Sequence, residues 1–336
     1  WQRAELGLEE DPESPIAEQI RFWRHELRDL PEVLRLPADR ARPAIASGCG
    51  ARHRFTVSAG TGAGLRELAE RTGGTFFMAL HAAFAVVLAT LSGDRDIAIG
   101  TPVAGRGAAV LDDLVGMFVN TLVLRTEVPA ASTFRELLVA VRDSDLRAFA
   151  HCDVPFERLV ELVNPARSAA RHPLFQVMLD LRQGPVSTPV LPGLHTETIE
   201  LRSDTAKFDL HLTVAEQPDG TVGAEFEYAT DLFDEPTIAS LARRWQIVLD
   251  AVVAAPDQPV GTIDLLSGDE RTQILEAWKD TAHAVPDTTL AELLRAQVGR
   301  SPGAVAMHYE GSEWTYVALA ERVNRLARLL ISIGVG

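Results

Sequence analysis

RFWRHELRDLPE, residues 21–32, contains His25-x-x-x-Asp29. A histidine and a carboxylate one helical turn apart could be a base and its support, or two side chains on the flank of a helix. The reading of the chain turns on this choice, because the first would put a catalytic centre near residue 25. The surrounding residues favour a helix over 15–30, with Ile16, Ile20, Trp23 and Leu27 on one stripe. Pro31 and Pro37 end it. His25 and Asp29 lie beside that stripe. Leu30 and Pro31 follow Asp29, so the pair sits at the end of a helix and not on a loop. Structural context decides a motif, and the context makes this spacing a coincidence.

Outward from that helix, the pattern gives a Pro- and Gly-containing loop to residue 50, then HRFTV (53–57) alternating as a strand. A helix over 64–71 follows, then Gly73-Gly74, then TFFMALHAAFAVVLATL (75–91). That apolar run is slightly short for a membrane span and carries His81 mid-run, so it reads as a buried core helix. DIAIGTPVAGR (96–106) is a buried strand entering a glycine-containing loop, and GMFVNTLVLRTEV (116–128) is a longer strand. STFRELLVAVRDSDLRAFAH (132–151) is a helix in which Thr133 and Glu136 have capping-box spacing. VPFERLVELV is a second helix with Pro155 in its first turn, and PLFQVMLDL (173–181) is a strand. Residues 207–229 read as a hairpin about Pro218-Asp219-Gly220, with Phe208, Leu210, Leu212 and Val214 facing Val222, Ala224, Phe226 and Tyr228. A helix over about 235–254 carries Ile238, Leu241, Trp245, Val248 and Val252 inward.

Beyond it the texture changes. Residues 256–287 are rich in Pro, Asp and Gly, as a linker is, with one short helix over 270–278. Residues 288–336 read as helix, strand, glycine turn, strand and helix, with Leu319, Val323, Leu326 and Leu330 on one face of the last. Some fifty residues cannot bury that much apolar surface alone. This reading expects a chain continuing past both ends.

Composition excludes several classes. Apolar residues make up 46% of the 336, enough for globular cores, and the formal net charge is −15. No basic run stands out, so neither a nucleic-acid surface nor an anionic membrane is expected as a partner. Two cysteines, Cys49 and Cys152, give no disulfide framework and no zinc spacing. A reducing cytoplasm and no metal are expected. Residues 1–14 have no basic or apolar region of a signal peptide.

Three local constellations carry possible chemistry. GTGAG (60–64) sits where a dinucleotide turn would, but Leu65 breaks the spacing, and a helix start is the better reading. No G-x-S-x-G elbow and no phosphate loop occurs. In HCDVPFERLVEL (151–162), His151 and Cys152 could be a nucleophile pair, but no third orienting group is specified. The plainer reading has Asp153 capping the helix, Pro155 starting it and Phe156 stapling it to the core. Asn120 shares a strand face with Phe118, Leu122 and Leu124, and Gln176 interrupts another apolar strand. A buried amide needs partners, so each is either a structural hydrogen bond or a group lining a polar channel.

Taken in order, these segments resemble the condensation domain of nonribosomal peptide synthetases. WQRAEL looks like the end of its Y-x-D-x-A-x-W-Q motif, and FWRHELRDLPEVLRLPADRARP like its F/Y-W-x-x-x-L…L-P-x-D-x-P-R-P stretch, in which His25 is not catalytic. IGTPVAGR with LVGMFVNTLVLR resembles its fifth motif region, Arg125 closing it. HCDVPFE is similar to H-Q-D-x-P-F-E, with Cys152 for Gln and with His151, Asp153, Pro155, Phe156 and Glu157 in place. RSAARHPLFQVML resembles R-D-x-S-R-N-P-L-F-x-V-M, departing at Ala169 and with His172 for Asn. GSEWTYVALAERVNRLARLL resembles the first motif of an adenylation domain.

The resemblance implies an α/β (α+β type) fold, a chloramphenicol acetyltransferase-like (CoA-dependent acyltransferase) lobe with a mixed sheet flanked by helices. It implies residues 1–50 as interlobe segment and helix, 51–255 as C-terminal lobe, 256–287 as linker and 288–336 as the start of an adenylation domain. The family joins a donor acyl or peptidyl thioester to an aminoacyl thioester in a tunnel between two lobes. Its substrates ride on phosphopantetheine arms of upstream and downstream peptidyl carrier domains, so no cofactor is expected on this chain. Its H-H-x-x-x-D-G signature belongs to the N-terminal lobe and does not occur in this sequence. The resemblance therefore implies no catalytic residue here, and an inactive fragment of an antibiotic-type assembly line that needs the other lobe. By the same resemblance Gly100, Pro102, Ala104, Arg106, Asn120 and Gln176 lie at the tunnel or lobe interface, and a latch follows Arg182. The alternative is a non-catalytic domain of the same fold that docks partner proteins.

Overall fold

A computed structural model describes residues 2–106, 109–111, 113–182, 193–194, 196, 204–279 and 287–335. The chain divides into two units, Trp1–Leu266 and Ser267–Gly336. In the first, the elements in order are α1 (Gln2–Leu6), α2 (Pro15–Glu26), β1 (Gly50–Val57), α3 (Ala59–Arg71), α4 (Phe76–Ser92), β2 (Asp96–Ala104), β3 (Val119–Glu127), α5 (Phe134–Ala150), α6 (Phe156–Val163), β4 (Val177–Arg182), β5 (Leu210–Glu216), β6 (Val222–Ala229) and α7 (Glu235–Ala254). The strands form one sheet in the order β1-β6-β5-β4-β2-β3. β4 runs parallel to β2 and to β5, and the other pairs are antiparallel.

Alternation along the strands sends side chains to two separate cores. Val177, Leu179, Leu210, Leu212, Phe226 and Tyr228 pack with α3, α4, α7 and the first half of α5 on one face. Met178, Leu122, Leu124 and Phe175 pack with Ile16, Ile20 and Trp23 of α2 and Leu159 of α6 on the other. The helix pattern around residue 25 is thus real, but α2 ends at Glu26, short of residue 30. Leu27 turns into the core with its N–H on Trp23 O at 3.0 Å, and Asp29 takes a left-handed φ of 54° ahead of Pro31.

Two strand readings shift in the same way. β4 begins at Val177, not Pro173, and β5 begins at Leu210. Phe175 and Phe208 lie before those starts and face the second core, stacked on each other at 5.3 Å. GTGAG lies inside α3, whose N-cap is Ser58. The capping box at Thr133 forms as read, with Glu136 N–H on Thr133 Oγ1 at 3.2 Å and Thr133 N–H on Glu136 Oε2 at 2.9 Å.

The apolar run is α4, with Met78 to Leu88 all buried. No single described helix is long and apolar enough to cross a membrane; α3 and α4 reach that length only as a pair bent by 106°. Its one polar interior residue, His81, is fully buried and 3.0 Å from Asp145 Oδ2 on α5, with Thr126 Oγ1 3.3 Å from its other ring nitrogen.

The stretch read as a linker from 256 onward packs at first on the first unit. Val260 N–H donates to Ser132 O at 2.8 Å, and Val260 and Leu265 are buried. The second unit holds α8 (Gly268–Thr272), which continues as a π-helical turn, then α9 (Leu290–Arg300), a β7 (Val305–Tyr309)–β8 (Ser312–Thr315) hairpin and α10 (Tyr316–Ser332). None of its described residues is buried, and Val323, Leu326 and Leu330 of α10 are exposed. The latch expected after Arg182 falls mostly outside the described residues.

Candidate functional site

The candidate residues lie along β2 and β3 and in the segments packed on them. Gly100, in the middle of β2, is buried, and a Cβ there would come within 2.2 Å of the Phe175 ring. Glycine is needed because an aromatic ring lies on the backbone. Two residues on, Pro102 lines a cleft, and Ala104 is exposed at the strand end. Gly105 N–H donates to Phe118 O at 2.8 Å, and the Arg106 guanidinium sits 4.1 Å above the Phe118 ring while Nη1 donates to Leu111 O. These contacts fold the β2–β3 connection back on itself. Leu111 is buried, but several other apolar side chains face outward, with Val115 and Met117 104% and 89% exposed and Val110, Leu114 and Val119 exposed as well.

Asn120 sits beneath that loop and is a structural clasp. Its Nδ2 donates to Cys152 O at 2.9 Å and Val154 O at 2.8 Å, and its Oδ1 accepts from Thr121 N–H at 2.9 Å and Phe156 N–H at 3.1 Å. Asn120 thereby caps α6 from a distant strand. This corrects the role expected of Asp153. Pro155 is the N-cap and has no side-chain cap bond, while the Asp153 carboxylate accepts from Gln19 Nε2 at 2.7 Å and its N–H donates to Gln19 Oε1 at 3.0 Å. The local cap loses because α2 brings a complementary amide to the same turn. Asn120, Gly105, Met117, Cys152, Pro155 and Glu157 border one concavity of about 570 Å³.

The His151–Cys152 pair does not form a nucleophile and base. His151 stacks on Phe22 at 4.0 Å, with Nδ1 2.6 Å from Arg147 O, and its carbonyl accepts from Trp23 Nε1 at 2.8 Å. Burial, with Asp153 adding to it, pushes the Cys152 thiol pKa up, away from the thiolate a nucleophile needs. Phe156 does staple α6 to the core, 5.8 Å from Phe175, and Glu157 is exposed.

Gln176 is also a clasp rather than an open channel group. Its Oε1 accepts from Leu34 N–H at 2.9 Å, and its Nε2 donates to Glu32 O at 3.2 Å and His172 O at 3.3 Å. Arg125 braces the far end of β3. It grips Asp96 through Nε at 2.9 Å and Nη2 at 2.6 Å, and Nη1 donates to Glu26 O and Arg28 O at 2.8 and 2.7 Å. It closes the C-terminus of α2, where carbonyls have no helical partner. His25, in the last turn of that helix, is exposed.

Two histidines, His81 buried and His172 half-buried, escaped the sequence reading as sites. The His81–Asp145 pair had a faint signal, because Asp145 falls on the inward stripe of Leu138 and Val141. His172 lies among Phe156, Phe175 and Phe208 with centroids 5.1, 4.2 and 5.1 Å away. Its buried Nδ1 has no hydrogen-bond partner, and burial lowers its pKa to about 4. Among the described residues no group of three or more His, Cys, Asp or Glu could hold a metal.

The sequence profile of the condensation domain matches residues 9–275. The chain belongs to the condensation-domain family of nonribosomal peptide synthetases. The dimodular nonribosomal peptide synthase of Bacillus subtilis is 42% identical over 342 residues, all of this chain and 14% of that protein. The chain spans 4–14% of the length of such curated relatives. A crystal structure of a four-domain nonribosomal peptide synthetase bound to AMP and glycine superposes with a TM-score of 0.83 at 24% identity, over 99% of this chain and 26% of that one. The X-domain in complex with OxyB from teicoplanin biosynthesis gives 0.74 at 33% identity, over 80% of this chain and 59% of the other. The fold is the CoA-dependent acyltransferase-like one of condensation domains, a mixed sheet flanked by helices. Condensation domains of these synthetases form amide bonds and work with carrier-protein domains.

Proposed function

We propose that residues 51–255 are the C-terminal lobe of an amide-forming condensation domain and that residues 1–50 lead into it from the other lobe. Residues 256–287 are then the linker, its first part lying on the lobe, and 288–336 open an adenylation domain. The donor acyl and acceptor aminoacyl groups arrive on phosphopantetheine arms of separate carrier domains, in a cytoplasmic synthetase. The catalytic H-H-x-x-x-D-G belongs to the other lobe, so this chain alone is inactive.

The observation that carries the reading is the loop between β2 and β3. Side chains such as Val115 and Met117 standing in water mark a contact surface. The loop is held in shape by Arg106, Phe118 and Asn120, as a surface prepared for a partner would be. Of the six interface candidates, Pro102, Ala104 and Arg106 belong to this edge, Gly100 and Asn120 lie behind it on the same two strands, and Gln176 clasps the 32–34 segment instead. Reading the coding sequence upstream of Trp1 tests the proposal. An in-frame lobe with an intact H-H-x-x-x-D-G supports it, and an in-frame lobe whose second His is replaced overturns the catalytic reading.

A second reading is a docking module without chemistry of its own. It is favoured by the 33% identity to the X-domain, whose structure is of a complex with OxyB. A lobe upstream with a broken signature would select it.

A further inference from the structure

The concavity of about 570 Å³ beside the β2–β3 loop has a wall and a rim of different chemistry. The wall is apolar: Leu111, Leu114, Met117, Phe118 and Val119. Leu114, Met117 and Val119 are exposed although they border it, and Val115 on the same loop is fully exposed. Apolar surface thus runs on past the opening. The opposite rim, the turn into α6, carries Asp153 and Glu157. Asp153 is held by Gln19, which donates to Oδ2. Glu157 is exposed and has no hydrogen-bond or ion-pair partner among the described residues. Its neighbour Arg158 is taken by Glu9 and Glu161, and Arg106 lies over the Phe118 ring. Among the described residues that border the concavity, none is basic. An apolar socket therefore has uncompensated negative charge along one edge.

We propose that this concavity receives a partner protein through a leucine- or methionine-like side chain with a lysine or arginine beside it. The inference rests on reading the β2–β3 loop as a contact surface and adds the chemistry of what it contacts. A protein fits better than a small molecule because the apolar surface continues over Val115, outside the concavity. Interfaces take most of their energy from a few anchors set in pockets, and the apolar wall is such a pocket. Charges at the rim choose the partner more than they hold it. Glu157 therefore selects a basic neighbour to the anchor, and the socket walls select a long apolar side chain over glycine.

The test uses Cys152, which borders the concavity, as a reporter, and the exposed Cys49, which does not, as internal reference. The chain is equilibrated with disulfides of acetyl-Leu-Lys-cysteamine, acetyl-Leu-Glu-cysteamine or acetyl-Gly-Lys-cysteamine under a fixed excess of 2-mercaptoethanol. In each exchange the cysteine thiolate attacks the disulfide and the small thiolate leaves. Capture at each cysteine is read by mass spectrometry of peptides. At Cys152 the Leu-Lys probe should be captured about tenfold more than Gly-Lys, as burying an apolar side chain implies. It should be captured about threefold more than Leu-Glu, the size of an exposed charge contact. Cys49 should show neither preference. Glu157→Lys, at an exposed position, should reverse the lysine preference and keep the leucine preference, with an unchanged circular dichroism spectrum. Equal capture of the three probes at Cys152, the same preferences at Cys49, or no capture at Cys152 where Cys49 is captured overturns the proposal. In the intact synthetase, unchanged condensation in Val115→Ser with Met117→Ser would instead overturn the contact-surface reading, whatever Cys152 prefers.

Discussion

The two ends of the β2–β3 pair are built differently. At one end Arg125 joins Asp96 to the carbonyls of Glu26 and Arg28 at the end of α2. At the other end the strands run into a loop whose backbone is fixed by Gly105, Arg106 and Asn120 but whose Val115 and Met117 meet only water. Between them Gly100 lies under Phe175, whose ring is tilted against His172 at 4.2 Å. The braced end needs nothing further to be stable. The loop end leaves Val115 and Met117 in the open, which is the mark of a place where something else binds. On the proposed function, the difference separates residues that hold the fold together from residues that would meet a partner.

The contrast can be broken at the braced end first. Arg125→Ala should cost about 3 kcal/mol in urea unfolding, because it strands Asp96 and the carbonyls of Glu26 and Arg28 together. A change no larger than that of an ordinary surface substitution would remove the distinction between the ends.

The middle is sharpened by pH. His172 titrates near 4 in the folded chain and near the ordinary 6.5 when unfolded. Between those values the unfolded chain binds the extra proton, so stability rises with pH there and is lost as pH falls from about 6.5 through about 4. The loss should reach about 2–3 kcal/mol. His172→Asn should flatten that slope in pH-dependent chemical denaturation; an unchanged slope would place the acid sensitivity elsewhere.

Asn120→Ala tests the support beneath the loop. It leaves Cys152 O, Val154 O and the Phe156 N–H without their partner, and should destabilise by about 2 kcal/mol. The smallest stability effect belongs to the loop surface. Val115→Ser with Met117→Ser should move the unfolding free energy by no more than about 0.5 kcal/mol, yet abolish condensation in the intact synthetase. A stability loss comparable to that of Asn120→Ala would show these side chains to be core, not interface.

What could be read from sequence follows the range of the interaction. The Thr133 capping box, the hairpin about Gly220 and the α7 stripe are local patterns, and they appear where expected. The pattern starts β4 and β5 too early, at Pro173 and Lys207, because alternation carries across Phe175 and Phe208, which turn to the other face of the sheet. The candidate amides show the same limit more sharply. Their dilemma, clasp or channel, could be posed from one strand, but Gln176 finds Leu34 across 142 positions and Asn120 finds Val154 across 34. His81 and Asp145 meet across 64. No spacing rule predicts such pairs, which exist only once two helices lie on one sheet. Family motifs located the candidate region, since Asn120 and the 151–157 turn are joined in space, but they did not say which group caps which.

The central claim is that this chain holds the walls of an amide-forming tunnel and not its base. The most direct test supplies the purified 336-residue chain with a donor-loaded and an acceptor-loaded carrier protein and follows the condensed product by mass spectrometry. The account predicts no product above the enzyme-free control. Condensed product formed by this chain alone, at a rate that scales with its concentration, would contradict it.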